Sequence, residues 1–266
     1  MSSEKFFTTK KALITLIAAS LVVIVSLGIR QTFGLFFFDF NADLNISISH
    51  FGFVIGLQLL MWGVFSPIFG FITDRYGGAT AIFIGFLFYL AGLFLFYSGL
   101  NTGYLFTLTI GLLIGIGLGG TAISIPVSVV AKHFPSSNRT IATGIVTCAG
   151  SFGFFVSPLL VRYSLIEIGW EITILYFCFL LGIGLITALF ISTPKTPVGN
   201  NDNNNQTAKE ALKEAFNNKS FIFLTLGFFV CGWHIALVAT HIPTYMMDRG
   251  MPVSYTHLTL PTINWV

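Results

Sequence analysis

The sequence predicts an all-α polytopic membrane protein with seven transmembrane helices. Of its 266 residues, 55% are hydrophobic, 16% are aromatic and only 9% are charged, and one soluble core cannot bury so much apolar surface. The apolar residues fall into runs of about 20 or more, the length that crosses a bilayer. The net charge of +3 is spread along the chain without a basic patch, which excludes a nucleic-acid partner.

Short polar connections separate the predicted spans, except before the last one. The first apolar run is too long for the core of a signal peptide, so we expect it to stay in the membrane. The predicted spans are Ala12–Phe38, His50–Thr73, Ala79–Leu100, Tyr104–Ala131, Thr140–Tyr163, Trp170–Ile191 and Phe221–Met247.

Basic residues indicate the orientation of these spans. Ten lysine and arginine residues precede the first span or lie in alternate connections, whereas only Arg162 and Arg249 lie in the remaining ones. Positive charge accumulates on the cytoplasmic side. We therefore expect a multi-pass protein of the cell inner (plasma) membrane with a cytoplasmic N-terminus.

One long polar connection divides the chain. We expect a six-helix bundle over residues 1–192, a cytoplasmic linker over 193–218 and a seventh membrane helix over 219–252 that begins a second bundle. Residues 208–216 have an amphipathic pattern, which fits a helix on the inner membrane surface or a solvated linker helix. Residues 253–266 read like the translation of a sequencing adapter, so we expect a non-native tail and a C-terminally truncated chain.

Arg30 is the most informative polar residue of the spans. It lies eight residues before Phe38, so at 1.5 Å per residue it sits about 12 Å from the outer end of its helix. A central arginine costs about 2.5 to 3.5 kcal/mol on insertion scales and is kept where it faces a cavity or a partner. Because guanidinium binds a carboxylate through two hydrogen bonds, we expect an anionic substrate. The alternative is that the side chain extends to the outer headgroups.

Three further residues of the first two spans are expected to face the same cavity. Gln31 follows Arg30, and Gln58 and Trp62 lie four residues apart in the second span, on one helix face. Ordinary helix packing is the alternative for each of them.

The seventh span adds two histidines to the candidate site. His234 and His241 are seven residues apart, so they share a helix face. Histidine changes its protonation near neutral pH, as proton coupling requires. The alternative is that each histidine only bonds neighbouring helices together.

A charged turn between the second and third spans is the candidate gate. It runs from Gly70 to Gly78 and contains Asp74, Arg75 and Gly77. Glycines allow a sharp reversal of the backbone, and an acid at a helix end can dock on the N-terminus of another helix. We therefore expect this turn to lock and release during transport.

Two spans also carry glycine stripes that allow helices to approach closely. Such stripes serve either as static packing surfaces or as surfaces on which helices slide. They comprise Gly56, Gly63 and Gly70 in the second span and Gly111, Gly115, Gly117, Gly119 and Gly120 in the fourth.

The sequence does not predict an enzyme. It contains no strand-turn-helix nucleophile, phosphate loop or paired intramembrane carboxylates. The three cysteines lack metal-ligand spacing, so neither a metal nor a cofactor is expected. The alternative of another class, a membrane enzyme or sensor, rests on His234 and His241 alone.

Short motifs indicate a family. The segment from Gly70 to Gly78 resembles the loop between helices two and three of the major facilitator superfamily, GxLxDRxGRR, with Ile72 for the leucine and Gly78 for the first of the closing basic residues. Residues 28–36 and 227–243 resemble the monocarboxylate-transporter-like branch, including its bacterial members and the oxalate:formate exchangers.

This resemblance implies a secondary transporter in which two six-helix bundles rock about a central site. Small carboxylates would move with a proton or in exchange, with Asp74 at the inner gate and Arg30 facing the substrate. The expected partners are a small organic anion, protons and the lipid bilayer, with a monomer as the expected state. The alternative within the class is an efflux pump for drugs or sugars.

Overall fold

The computed structural model describes residues 10–100, 102–191, 214–238, 242, 245 and 249. The chain divides into two compact units, Met1–Pro194 and Lys195–Val266. All regular elements among the described residues are helical, and five stretches are long and apolar enough to cross a membrane. The predicted all-α multi-pass fold is therefore confirmed.

The first membrane stretch changes its helical register near its C-terminal end. Helix α1 covers Lys10–Thr32, a 3₁₀ segment covers Phe33–Phe36, and α2 covers Phe37–Leu44. The chain thus stays helical six residues beyond the predicted end at Phe38, until Asn45 adopts a left-handed conformation with φ 54°. Arg30 lies in the last turn of α1, directly before the 3₁₀ segment.

The predicted turn over residues 70–78 is shorter than expected. Helix α3 covers Ile48–Tyr76 and α4 covers Gly78–Tyr97. Gly77 alone separates them, with φ 96° and ψ 155°, a backbone region that is almost exclusive to glycine. The connection is tight, as expected from its glycines, but Asp74 and Arg75 lie in the last turn of α3 and not in the connection itself.

The fourth predicted span is interrupted. It consists of α5 over Gly103–Phe106, a π-helical segment over Thr107–Leu113, α6 over Ile114–Thr121 and α7 over Ser124–His133. Ala122 breaks the helix between α6 and α7 with an extended conformation.

One helical stretch accounts for the fifth and sixth predicted spans. Helix α8 covers Ser136–Ala188, which is 53 residues and about 80 Å at 1.5 Å per residue, far more than a bilayer of about 30 Å. Gly169 kinks it with φ 80° and ψ 171°. The kink lies between the two predicted spans, so each part is long enough for one crossing.

The second unit is described mainly by helix α9 over Lys219–Ala236. Its apolar part, Lys219–His234, is shorter than a full membrane span. The outer part of the predicted seventh span, most of the linker helix and the tail 253–266 lie outside the described residues.

Glycine contacts bring α6 against both α3 and α4. An added Cβ at Gly115 would lie 2.7 Å from the carbonyl oxygen of Gln58 in α3, and one at Gly117 would lie 2.7 Å from that of Gly85 in α4. The two predicted glycine faces of the fourth span are therefore close-packed. For Gly56, Gly63 and Gly70 the expectation of close packing is wrong for the described residues, where an added Cβ meets nothing within 4 Å.

Candidate functional site

Arg30 is buried and lacks a charged partner among the described residues. Its side chain is 5% exposed, and its Nε atom has no hydrogen-bond partner in that part of the chain. The Tyr89 hydroxyl of α4 donates to the carbonyl of Ser26 at 3.3 Å, so the phenol sits beside the last two turns of α1.

The two candidate glutamines differ in their surroundings. Gln31 is half-buried, and its Oε1 atom has no partner within the described ranges. Gln58 is fully buried, and its Nε2 atom donates to the carbonyl of Ile110 at 3.0 Å. The structure therefore directs Gln58 at the π-helical segment.

Trp62 packs on the core of the first unit. It is half-buried and lies against an apolar cluster that includes Leu27 of α1 and Ala122. Trp62 lies one helical turn after Gln58 in α3, whereas the Gln58 amide bonds to Ile110.

His234 lies in the last turn of α9, whereas His241 lies outside the described residues. Among the residues that are described, no three His, Cys, Asp or Glu side chains form a group that could hold a metal ion. The structure therefore adds no ligand set to the enzyme or sensor alternative.

Asp74 forms an ion pair with a residue that the sequence did not single out. Lys132 Nζ of α7 lies 2.9 Å from Asp74 Oδ1. The expectation that Asp74 docks on a helix N-terminus is not met, since Lys132 is in the last turn of α7. In the sequence, the only indication of this pair was that Lys132 and Asp74 were predicted to lie on the same side of the membrane.

The other candidate gating residues hold the turn and its packing. The Arg75 guanidinium lies 5.5 Å from the ring centroid of Tyr76, a cation–π distance. An added Cβ at Gly78 would collide with Val129 of α7. The α3–α4 junction thus sits directly on α7.

A cavity of about 490 Å³ lies between α3 and α7. The Asp74–Lys132 pair lines it, together with small and hydroxyl-bearing side chains. Thr73 is 4% exposed, and its hydroxyl has no partner among the described residues. The lining is formed by Gly63, Ser66, Pro67, Gly70, Thr73, Asp74, Ser124, Ile125, Ser128 and Lys132.

The opposite end of the first unit is closed by aromatic side chains. The Trp170 indole donates to Asp43 Oδ2 at 2.6 Å and meets the Phe40 ring edge to face at 5.4 Å. Phe96 and Phe106 complete the group, with ring centroids 5.2 and 5.9 Å from that of Phe40. The end of α2 is thereby fixed to α4, α5 and the second part of α8.

A second cavity of about 290 Å³ lies between α1 and the two parts of α8. Its lining is mostly apolar and includes Phe152 and Phe177, whereas Ser157, Ser164 and Thr173 contribute hydroxyl groups. Such a lining suits an apolar or amphipathic molecule.

The chain is similar in sequence to curated proteins that are named as transporters or efflux proteins. The chain is 24% identical over 261 residues to an agnestins efflux protein of Paecilomyces divaricatus, covering 96% of this chain and 58% of the relative. It is 26% identical over 159 residues to a probable nitrate transporter of Staphylococcus carnosus, with 59% and 39% covered. It is 24% identical over 241 residues to a hexuronate transporter of Bacillus subtilis, with 84% and 54% covered. The chain thus spans about half the length of these relatives.

A solved structure and a family profile agree with this architecture. An auto-inhibited peptide transporter of the POT family superposes with a TM-score of 0.58 at 18% identity, covering 73% of this chain and 40% of the other, which shows a shared fold. The profile of the Major Facilitator Superfamily matches residues 19–265. The chain therefore belongs to the Major Facilitator Superfamily of multi-pass transporters.

Proposed function

We propose that this chain supplies the N-terminal bundle of a secondary active transporter for a small organic anion, with Arg30 as the anion-binding residue. The observation that carries this proposal is the buried Arg30 side chain, whose Nε atom lacks a partner among the described residues. A permanent positive charge in a membrane span is retained where a counter-charge meets it. A transported anion supplies that charge.

The chemistry of guanidinium favours a carboxylate. Its planar fork presents two parallel N–H groups to the two oxygens of a carboxylate. The 5% exposure of Arg30 also argues against an arginine that extends into headgroups. A monocarboxylate is the substrate that best combines this geometry with the motif resemblance.

The names of relatives support an anion. The matched proteins include probable nitrate transporters, a nitrite extrusion protein and a hexuronate transporter. Each of these named solutes is an anion at neutral pH. The shared property is a single delocalised negative charge, which a guanidinium recognises in every case.

The transport cycle is proposed for a protein with two bundles, since alternating access requires both. The Asp74–Lys132 pair would close the cytoplasmic side, with Gly70, Arg75, Gly77 and Gly78 shaping the gate. The N-terminus would be cytoplasmic and the protein a monomer of the inner membrane. Gln31, Trp62, His234 and His241 complete the proposed substrate and coupling set, with coupling to protons or by exchange.

Replacement of Arg30 tests the proposal. Binding of a radiolabelled monocarboxylate to the purified chain in lipid nanodiscs should weaken strongly in Arg30→Gln, because the charge is lost. Binding of a neutral sugar should not change. Equal binding of the carboxylate by both proteins would contradict the anion proposal.

A second candidate function is efflux of an apolar or amphipathic compound. It is favoured by the apolar cavity of about 290 Å³ beside α1 and by the relative named as an efflux protein. An efflux pump predicts that Arg30→Gln retains ligand binding, whereas bulky replacement of Ser157 in the cavity abolishes it. These two variants therefore separate the two functions.

A further inference from the structure

In the π-helical segment Thr107–Leu113, one backbone carbonyl lacks the hydrogen bond that an α-helix would give it. The amide of Ile114 donates to the carbonyl of Thr109, five residues earlier. In an α-helix it would donate to Ile110, four residues earlier. The Ile110 carbonyl therefore loses its α-helical donor.

Gln58 of α3 supplies a replacement donor. Its Nε2 atom lies 3.0 Å from the Ile110 oxygen, and its side chain is fully buried. The bond fixes the orientation of the carboxamide, because only the nitrogen can donate to a carbonyl. Since a buried carbonyl without a donor is costly, Gln58 favours the π register over the α register.

One further side chain of α3 contacts the segment. His50 Nε2 lies 2.9 Å from Thr107 Oγ1. Side chains of α3 therefore bond to the segment at two points, Thr107 and Ile110.

We propose that Gln58 is a positioning residue that stabilises the π register of this segment against conversion to the α register. Conversion to the α register removes one residue from the widened turn, which rotates residues 103–106 by about 100° relative to α6. Thr107 then moves away from His50. Helix α6 stays in place, because its Gly115 packs closely on the Gln58 backbone. The rotation therefore moves residues 103–106 and not α6.

Cross-linking of residues 50 and 107 in the full 266-residue chain reports the register. The chain carries His50→Cys and Thr107→Cys, with its three native cysteines replaced by alanine, and is treated in nanodiscs with a short bis-methanethiosulfonate. The π register holds the two positions together and predicts efficient cross-linking. Adding Gln58→Leu should lower the yield at least fivefold.

Two controls make the result specific. Gln31→Leu removes a glutamine of α1 whose Oε1 atom has no hydrogen-bond partner among the described residues, and it should leave the 50–107 yield unchanged. A second cysteine pair, Asp74→Cys and Lys132→Cys, reports whether α3 and α7 still pack together, and Gln58→Leu should leave its cross-linking unchanged. If Gln58→Leu fails to insert, Gln58→Asn replaces it, because the side chain shortened by one methylene no longer reaches Ile110.

The proposal is overturned if the 50–107 yield stays within twofold in Gln58→Leu or Gln58→Asn. It is also overturned if Gln31→Leu lowers that yield equally, or if the 74–132 pair is lost together with the 50–107 pair. The inference concerns the shape of the helix, so it stands or falls independently of the substrate.

Discussion

Lys132 Nζ lies 2.9 Å from Asp74 Oδ1, joining the last turn of α7 to the last turn of α3. The two side chains are 41% and 73% exposed. An ion pair with such exposure contributes about 0.2–1 kcal/mol, because water screens it and two long side chains must be ordered. The pair can therefore break and re-form at little cost, as the proposed gate requires.

We predict a small, salt-dependent coupling between these two residues. A double-mutant cycle with Asp74→Asn and Lys132→Gln should give about 0.2–1 kcal/mol in the free energy of unfolding, falling as ionic strength rises. Denaturant titration in detergent measures it. A coupling above about 2 kcal/mol would show that the pair is desolvated and would contradict a reversible gate.

For Arg30 we predict that charge and fork geometry both matter. Arg30→Gln should weaken monocarboxylate binding about 10- to 100-fold, the loss expected for charge-assisted hydrogen bonds. Arg30→Lys should recover only part of it, because ammonium is a point charge without a planar fork. Full recovery in Arg30→Lys would show that charge alone is recognised. Equilibrium dialysis with labelled ligand distinguishes these outcomes.

Alanine at two helical glycines should have opposite effects on stability. Gly115→Ala places a Cβ 2.6 Å from that of Met61, so we expect destabilisation of about 1–3 kcal/mol from overpacking. Gly63→Ala meets nothing within 4 Å and should be neutral or stabilising by up to about 1 kcal/mol, since alanine favours a helix. Thermal unfolding of both variants measures the difference, and equal melting temperatures would refute it.

Gly169 should be intolerant of substitution for a reason of backbone conformation. Its φ of 80° and ψ of 171° lie in a region that costs other residues about 1–3 kcal/mol. We expect Gly169→Ala to lose that amount of stability or to straighten the kink. Gly182→Ala is the matched control, because it lies in the same stretch with open space around it. Should both variants unfold at one temperature, the kink is not strained.

Hydropathy predicted the first six membrane spans well because each crossing requires a long apolar run. It also placed a division near Gly169, since charged residues interrupt the apolar pattern there. Hydropathy could not predict which residues of one helix contact which residues of another. Gln58 was expected in a cavity, but its partner is a backbone carbonyl 52 residues away, and no side-chain pattern marks a carbonyl that a π turn has left open.

The partner of Asp74 escaped prediction for a similar reason. Lys132 lies 58 residues further along the chain, and charge counting assigned it only to a side of the membrane. The tight turn was predicted, but its length was overestimated, because glycine pairs are typical of several connection lengths. Local sequence predicted that the chain reverses there, whereas packing of Gly78 on Val129 decides how tightly.

The joint at Gly77 limits how the two helices can move. One residue extends the chain by at most about 3.5 Å, so α4 begins its first turn as soon as α3 has ended. The proposed cytoplasmic ends of α3 and α4 therefore cannot slide apart, and any displacement of one helix relative to the other has to be a change of angle about this glycine.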